Sequence, residues 1–399
     1  MRMHEGDDMT RQPALAGIRV LDLGRYIAAP FCANMLANEG AEVIRVEPPE
    51  GGADREVMPV GQPGRGGLYL QVNANKKSLS LDYAKPEGRA VLEKLIATAD
   101  VLIVNLPQKA LMKLRLDYDS LAAIKPNIIL TTISAFDAGG KDRDRVGFDG
   151  TGQALSGAMY LTGFGEAPTR EAVSYVDYAT AMAAAFATMS ALMDRARSGK
   201  GQHVQCSLMG TALTMMNAML MEEASGFRTR RPIGNRSPIA GPSDLFRAKD
   251  GWVMIQIIGD PMFSRWARMI GREDLLSDPR FASDSDRGEN GEALSAIQQE
   301  WCASRTVEEC LADLAAARLP ACPCLTPAQT LTMPGFEDYT EILPVGDGLP
   351  LVARSIRTES ALATPRTLAP LLGADSAALL DALGIAAEEQ ARLKAQGII

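Results

Sequence analysis

Asp177 stands between Val176 and Tyr178, at the head of an alanine-rich stretch and in otherwise apolar surroundings. Aspartate is a preferred helix N-cap, its oxygen accepting from the first free backbone N–H groups. The same position suits a second use: a nucleophilic carboxylate held ionised by helix N-terminal amides while apolar neighbours strip its water. Other reactive groups are scarce. The chain has two histidines, His4 and His203, and His203 falls in a strand-like segment, where a satisfied structural imidazole is the simpler reading. Six cysteines, Cys32, Cys206, Cys302, Cys310, Cys322 and Cys324, form no CxxC pair, so no metal site is expected and they read as reduced, mostly buried thiols. Gly150, Gly152 and Gly157 depart from the spacing of a dinucleotide fingerprint and follow no strand, while Gly199, Lys200 and Gly201 end a helix instead of opening one. Neither HExxH nor GxSxG occurs.

The elements that must position Asp177 follow from hydrophobic periodicity. Ile18–Leu23, Glu42–Glu47, Ser78–Asp82, Val101–Asn105, Ile128–Ile133 and His203–Ser207 read as strands. Helical segments run Ala29–Asn38, Pro86–Asp100, Tyr118–Ile124 and, after a glycine-rich region at 139–165, from about Tyr178 to Arg197. Strands alternating with helices imply a mainly parallel, doubly wound sheet. Residues 226–242 break this rhythm with Pro, Gly and Arg, and a smaller α+β domain follows, with a strand in Asp250–Ile258 and helices around Met262–Met269, Ala293–Cys302 and Val307–Arg318. The tail Ala377–Gly397 reads as helical.

With 41 basic against 49 acidic residues the net charge is −8, which argues against a nucleic-acid surface or an anionic membrane as partner. The main uncharged, proline-free stretches, Tyr178–Met193 and Val204–Met221, fall short of the ~20 apolar residues of a membrane span and read as buried soluble structure. Met1–Pro13 carries Glu5, Asp7 and Asp8 and fits neither a secretory signal nor a transit peptide, so a cytoplasmic protein is expected.

These blocks, in this order, resemble the class III coenzyme A transferases, the family of formyl-CoA and carnitine-CoA transferases. The likeness rests on LAGIRVLDLGRYIAAPFCANMLANEGAEVIRVEPPEGGADRE, NANKKSLSLDYAKPEGRAVLEKLIATADVLIVNL, GFDGTGQALSGAMYLTG, Asp177 with its helix, SGKGQHVQCSL, GNRSP, DGWVMIQIIGD, LPACPCLTPAQTL and the terminal LLGADSAALLDALGIAAEEQARLKAQGII. It implies a Rossmann-like large domain from residues 10–218 and 330–399, a small α+β domain from 226–325, and a homodimer of interlocked chains.

The resemblance also places the family's nucleophile at Asp177, downstream of Thr162 and Gly163, and implies CoA transfer between an acyl-CoA and a small carboxylic acid through aspartyl anhydride and aspartyl-CoA thioester intermediates. CoA is then a substrate and no cofactor is tightly bound. Arg25, Tyr26, Ile27 and Ala28 are implied to lie along pantetheine, and Asn105, Leu106, Lys113 and Ser134 along the nucleotide. Pro48 and Ala84 stand where relatives carry basic residues, which leaves Arg45, Lys76, Lys77 and Lys85 as further phosphate contacts. Residues 234–242 offer only Gly234 and Gly241 toward the glycine-rich cover of formyl-CoA transferase. Two alternatives stand beside a transferase: an α-methylacyl-CoA racemase and a CoA-binding protein without turnover. Phe148 occupies the position of the racemase histidine, and a phenyl ring exchanges no proton.

Overall fold

The computed structural model describes residues 12–399 apart from 166, 344–347, 353–355 and 357. Most of Met1–Pro13, His4 included, therefore lies outside the described residues. The chain's contacts divide it into two units, one of Met1–Ser156, Ala172–Met221 and Tyr339–Ile399, the other of Gly157–Glu171 and Glu222–Asp338. Against the boundaries drawn from sequence, the main difference is residues 157–171, which join the second unit.

In the first unit β1 (Arg19–Asp22), β2 (Glu42–Glu47), β3 (Lys76–Ser80), β4 (Val101–Val104), β5 (Ile129–Ser134) and β6 (Gln202–Ser207) form one sheet in the order β3-β2-β1-β4-β5-β6, every pair parallel. Strand side chains alternate between two cores, as a period of two requires. Val20, Val101, Ile103 and Ile129 pack with Leu36 of the Ala28–Asn38 helix and with Ala181 and Ala184 of the long Tyr175–Ser198 helix. Leu21, Leu102, Val104 and Leu130 face the other way, onto Leu92, Leu95, Leu121, Leu380, Leu393 and Ile398. Each such leucine, fully buried, contributes roughly 2–3 kcal/mol.

Several elements depart from their expected bounds for identifiable reasons. Strand β3 starts at Lys76, two residues early, because that ammonium is buried with three acceptors of its own. The glycine-rich region holds two helices, Asp149–Leu155 and Ala158–Leu161. Gly152 is required in the first, since a Cβ there would stand 2.9 Å from Val176 Cγ1 and 3.3 Å from Ala212 Cβ. The tail is two helices, Ser376–Ala382 and Ala387–Ala395, interrupted where Gly384 adopts φ +70°. The Tyr175–Ser198 helix is long and apolar enough to cross a membrane by length and composition, and eight of its residues are buried in the unit. The stretch ending at Met221 corrects its expected burial: within the Leu208–Ala224 helix only Leu208 and Ala212 are buried. A hairpin of β10 (Thr340–Leu343) and β11 (Leu349–Val352) completes the unit's strands among the described residues; β7 to β9 belong to the second unit.

That second unit carries the antiparallel sheet β7 (Ser243–Arg247), β8 (Trp252–Gln256) and β9 (Ala321–Pro323). Helices Asp260–Met269, Gly291–Ala303 and Val307–Ala316 enclose a core that includes Phe246, Val253, Ile255, Trp266, Leu294 and Leu314. Its helix starts follow local rules. Thr306 and Glu309 form a capping box, and Pro261 occupies the first turn of the Asp260–Met269 helix.

Candidate active site

The chain runs from β1 outward to β3, then returns to lay β4 on the other side of β1, so the strand order reverses between β1 and β4. In open α/β sheets the crevice beyond the carboxyl ends of such strands is where ligands bind. Here two loops are tied across it. The Arg25 amide donates to Asn105 Oδ1 at 2.8 Å, and Asn105 Nδ2 donates back to the Arg25 carbonyl at 2.8 Å. Both polar atoms of the Asn105 amide are thus spent on the backbone of the β1 loop.

Tyr26 follows in the left-handed region, at φ +62°, a conformation that costs a non-glycine residue on the order of 1 kcal/mol or more. Its ring is 39% exposed and meets Phe148 edge-on at 6.1 Å. Ile27 is the N-cap of the Ala28–Asn38 helix, and Ala28 is buried at its first position.

The long helix begins at Tyr175 with Ser174 at its N-cap, so the expected start at Tyr178 and the N-cap reading of Asp177 are both displaced. Asp177 lies in the first turn, partly buried. Asp149 does the capping instead. Buried at the start of its own helix, it accepts from the Val176 amide through Oδ1 at 2.8 Å and, more weakly, from the Asp177 amide at 3.4 Å. Its Oδ2 accepts from Gln153 Nε2 at 2.6 Å.

This arrangement corrects the expectation that helix amides hold Asp177 ionised. Burial, with the Asp149 charge adding to it, pushes the Asp177 carboxyl up to about 7. No described residue donates a hydrogen bond to it. The same amides are unavailable to an oxyanion, because Asp149 already takes them. Beside Asp177, Tyr178 donates its hydroxyl to Gln71 Oε1 at 2.8 Å and packs edge-on against Phe31 at 5.1 Å, which fixes the turn laterally.

The other candidates disperse. Ser134 ends β5 and donates its hydroxyl to the Phe136 carbonyl at 2.5 Å. Leu106 packs partly buried against the core that faces Leu92 and Leu95. Lys113 stands exposed at the end of the Gln108–Lys113 helix, with no side-chain partner among the described residues.

Two proposed phosphate contacts are excluded by their own partners. Arg45 is buried with its Nη2 at 2.9 Å from each oxygen of Asp54, and Lys76 is buried with its Nζ at 2.6 Å from Asp22 Oδ2. Lys77 pairs with Glu42 at 2.6 Å and Lys85 with Asp82 at 3.4 Å, both part-exposed. His203 meets Thr132 at 2.9 Å and Gln205 at 3.2 Å and stacks on Tyr118; burial lowers its pKa. It is a satisfied structural histidine. All six cysteines are unpaired; Cys32, Cys302 and Cys310 are buried, Cys206 is half-buried, and Cys322 and Cys324 are exposed, against the expectation of mostly buried thiols. Among the described residues no group of three or more His, Cys, Asp or Glu side chains is arranged to hold a metal ion.

Sequence reasoning missed Gln71, Gln153 and Tyr178. The i, i+4 spacing of Asp149 and Gln153 was the available signal, obscured by the glycines at 147, 150, 152 and 157.

Comparison with known proteins bears on the chain as a whole. The model of "CoA-transferase family III" matches residues 15–376. The chain is 33% identical to a succinyl-CoA–D-citramalate CoA-transferase of Chloroflexus aurantiacus, over 96% of this chain and 98% of that one. It is 30% identical to a succinyl-CoA:mesaconate CoA-transferase of Haloarcula hispanica, over 93% and 97%. Among solved structures, a CAIB/BAIF family protein from Brucella suis superposes with a TM-score of 0.80 at 31% identity, covering 94% of this chain and all of that one. Likeness of this extent, with the family model matching residues 15–376 and relatives covering more than nine tenths of the chain, places the chain in CoA-transferase family III as an enzyme.

Proposed function

We propose that this enzyme moves CoA from an acyl-CoA to a carboxylic acid through covalent intermediates on Asp177. The observation that carries the reading is the state of that carboxyl: drawn out of water, with no hydrogen-bond donor among the described residues, beside an acid that takes the neighbouring amides for itself. A desolvated carboxylate is a stronger nucleophile than a solvated one, and a pKa near 7 leaves it ionised in a large fraction of molecules at neutral pH.

An Asp177 oxygen attacks the thioester carbonyl, the C–S bond breaks, and CoA leaves as thiolate, giving an aspartyl acyl anhydride. The thiolate attacks the aspartyl carbon, expelling the donor acid as carboxylate and leaving an aspartyl-CoA thioester. The acceptor carboxylate attacks that thioester to form a second anhydride and free the thiolate again. Attack of the thiolate on the acceptor's carbonyl carbon yields the new acyl-CoA and restores Asp177. Each activated bond is exchanged for another, so no ATP is consumed.

The names of the relatives support succinyl-CoA as donor and a small dicarboxylic acid as acceptor. CoA lies along the β1 and β4 loops in this reading: Arg25, Tyr26 and Ala28 border pantetheine, with Asn105 holding the loop. Leu106, Lys113 and Ser134 border the nucleotide, and Lys113 supplies the charge least committed elsewhere. A homodimer accounts for the apolar stripe of Met182, Phe186 and Met193, which the long helix leaves exposed, Phe186 by 76%. A cytoplasmic site of action fits a reaction between two soluble metabolites.

The test is adduct trapping. Protein mixed with succinyl-CoA and no acceptor, quenched and digested, carries CoA or succinyl mass on the peptide containing Asp177, and hydroxylamine removes it. Transfer that proceeds with no such adduct overturns the covalent mechanism.

A further inference from the structure

We propose that the second unit carries a separate anion site, sized and charged for an adenine nucleotide diphosphate. A groove of about 740 Å³ opens between the Asp260–Met269, Gly291–Ala303 and Val307–Ala316 helices. It is lined by Arg265, Arg268, Arg305 and Arg318, against the single carboxylate of Asp313, in a chain whose net charge is −8. That volume lies within the ~300–1,000 Å³ typical of small-molecule sites and far exceeds the needs of one phosphate ion.

The four guanidiniums fall into two pairs. Arg265 is fixed by the chain end of the last helix, its Nε donating to the Ala317 carbonyl at 3.1 Å and its Nη2 to that of Arg318 at 3.2 Å. Arg305 is fixed likewise, with Nη1 donating to the Trp301 carbonyl at 2.9 Å and the guanidinium lying 4.2 Å from the centre of the Trp301 ring. Its Nε stands 3.5 Å from Asp313, an ion-pair distance that leaves the Nη2 hydrogens uncommitted among the described residues.

Arg268 and Arg318 are the less committed pair. Arg268 faces Glu273 at 3.7 Å, beyond hydrogen-bond reach, and Arg318 has no side-chain partner among the described residues. Its φ of +54° closes the end of the Val307–Ala316 helix, where the Leu319 amide returns to the Leu314 carbonyl at 2.9 Å, and so sets where its side chain leaves the backbone. Two held guanidiniums, Arg305 offering its Nη2 alone since its Nη1 also donates to Ser304 Oγ at 2.9 Å, and two less committed ones suit a diphosphate, whose oxygens arginine engages in pairs. The indole with its stacked guanidinium is the kind of flat surface on which a purine base stacks.

The experiment is calorimetric titration of the full chain with ADP, pyrophosphate and adenosine, repeated on the R268A/R318A variant, with steady-state kinetics on both proteins. The site predicts that ADP binds at least tenfold more tightly than pyrophosphate, that adenosine alone gives no saturable heat, and that the double substitution weakens ADP at least tenfold while KM for succinyl-CoA stays unchanged. ADP affinity untouched by the substitution overturns the assignment. So does a parallel rise in KM for succinyl-CoA, which would put ADP in the CoA site. Pyrophosphate binding as tightly as ADP overturns the nucleotide and leaves no base contact. Circular dichroism of the variant verifies its fold, and because the readout is binding, it stands or falls apart from the covalent mechanism on Asp177.

Discussion

Glu47 and Asp177 are both carboxyls withdrawn from most of their water within one unit, and their proton affinities move in opposite directions. Burial pushes Glu47 up, but Arg55 Nη2 at 2.5 Å and the neighbouring Arg45 charge overturn that, so it ends below its ordinary value. Burial pushes Asp177 up as well, and the nearest charge, Asp149, pushes the same way. Burial alone therefore does not decide how a carboxyl behaves; the sign of its closest partner does. The Glu47 region is a closed account of charges, Arg45 with Asp54, Arg55 with Tyr69, and Lys76 with Asp22 and Asn73. The Asp177 carboxyl has no such donor among the described residues, which is why the proposed chemistry is placed there.

The largest effect that follows is on turnover. Asp177→Asn is expected to lose at least a thousandfold in CoA transfer while keeping its circular dichroism; a variant retaining a tenth of parental activity would erase the distinction between the two regions. The same substitution separates them on stability. Because the folded pKa of Asp177 is raised, its favourable contribution is complete below about pH 4 and is lost as pH rises through about 7. Asp177→Asn should thus melt higher than the parent at pH 8, by on the order of a few kcal/mol, and alike at pH 4. Glu47 has the reverse sign, contributing above its unfolded value and losing that contribution as pH falls through its lowered one.

Next in size is the closed network. Arg55→Ala leaves Glu47 buried with its main partner gone, which typically costs about 3–5 kcal/mol, read as a lower urea midpoint. Loss of less than 1 kcal/mol would mean that the carboxyl finds water or protonates, as Asp177 does.

A smaller shift comes from Asp149→Asn, whose side-chain oxygen can still accept from the Val176 amide. Removing the Asp149 charge, which adds to the effect of burial on Asp177, should move the acidic limb of kcat/KM from about pH 7 down by up to about one unit. A limb that does not move would show the Asp149 charge to be screened. Smallest is Asn105→Ala, which frees the β1 loop by removing two hydrogen bonds and should raise KM for the acyl-CoA a few-fold with kcat nearly unchanged.

The sheet was legible because strands covered on both faces read as apolar runs, and Val101–Val104 admits little else. The open region was half legible: Asp177 stands out beside apolar neighbours, but its cap is an aspartate 28 positions earlier, and no local rule joins the two. The closed region was illegible. Arg45, Lys76 and Asp22 each look like surface residues one at a time, and only pairing across β1, β2 and β3 makes their burial tolerable. The exposed methionines of the Leu208–Ala224 helix misled in the opposite sense, since an apolar run states that something covers it without stating which chain does.

The last residues of the chain impose an order on its synthesis. Leu380, Leu393 and Ile398 complete the core over Leu92 and Leu95, and the Asp375 carboxylate accepts from the Ser78 amide at 2.9 Å, 297 positions away. A ribosome that has released every strand of the parallel sheet has still not delivered these residues, so the core around Leu92 and Leu95 stays incomplete after the sheet's own intervening helices have formed. Closure of that core therefore waits on residues made after the whole of the second unit, and a nascent chain stalled before Asp375 leaves Leu92 and Leu95 partly uncovered.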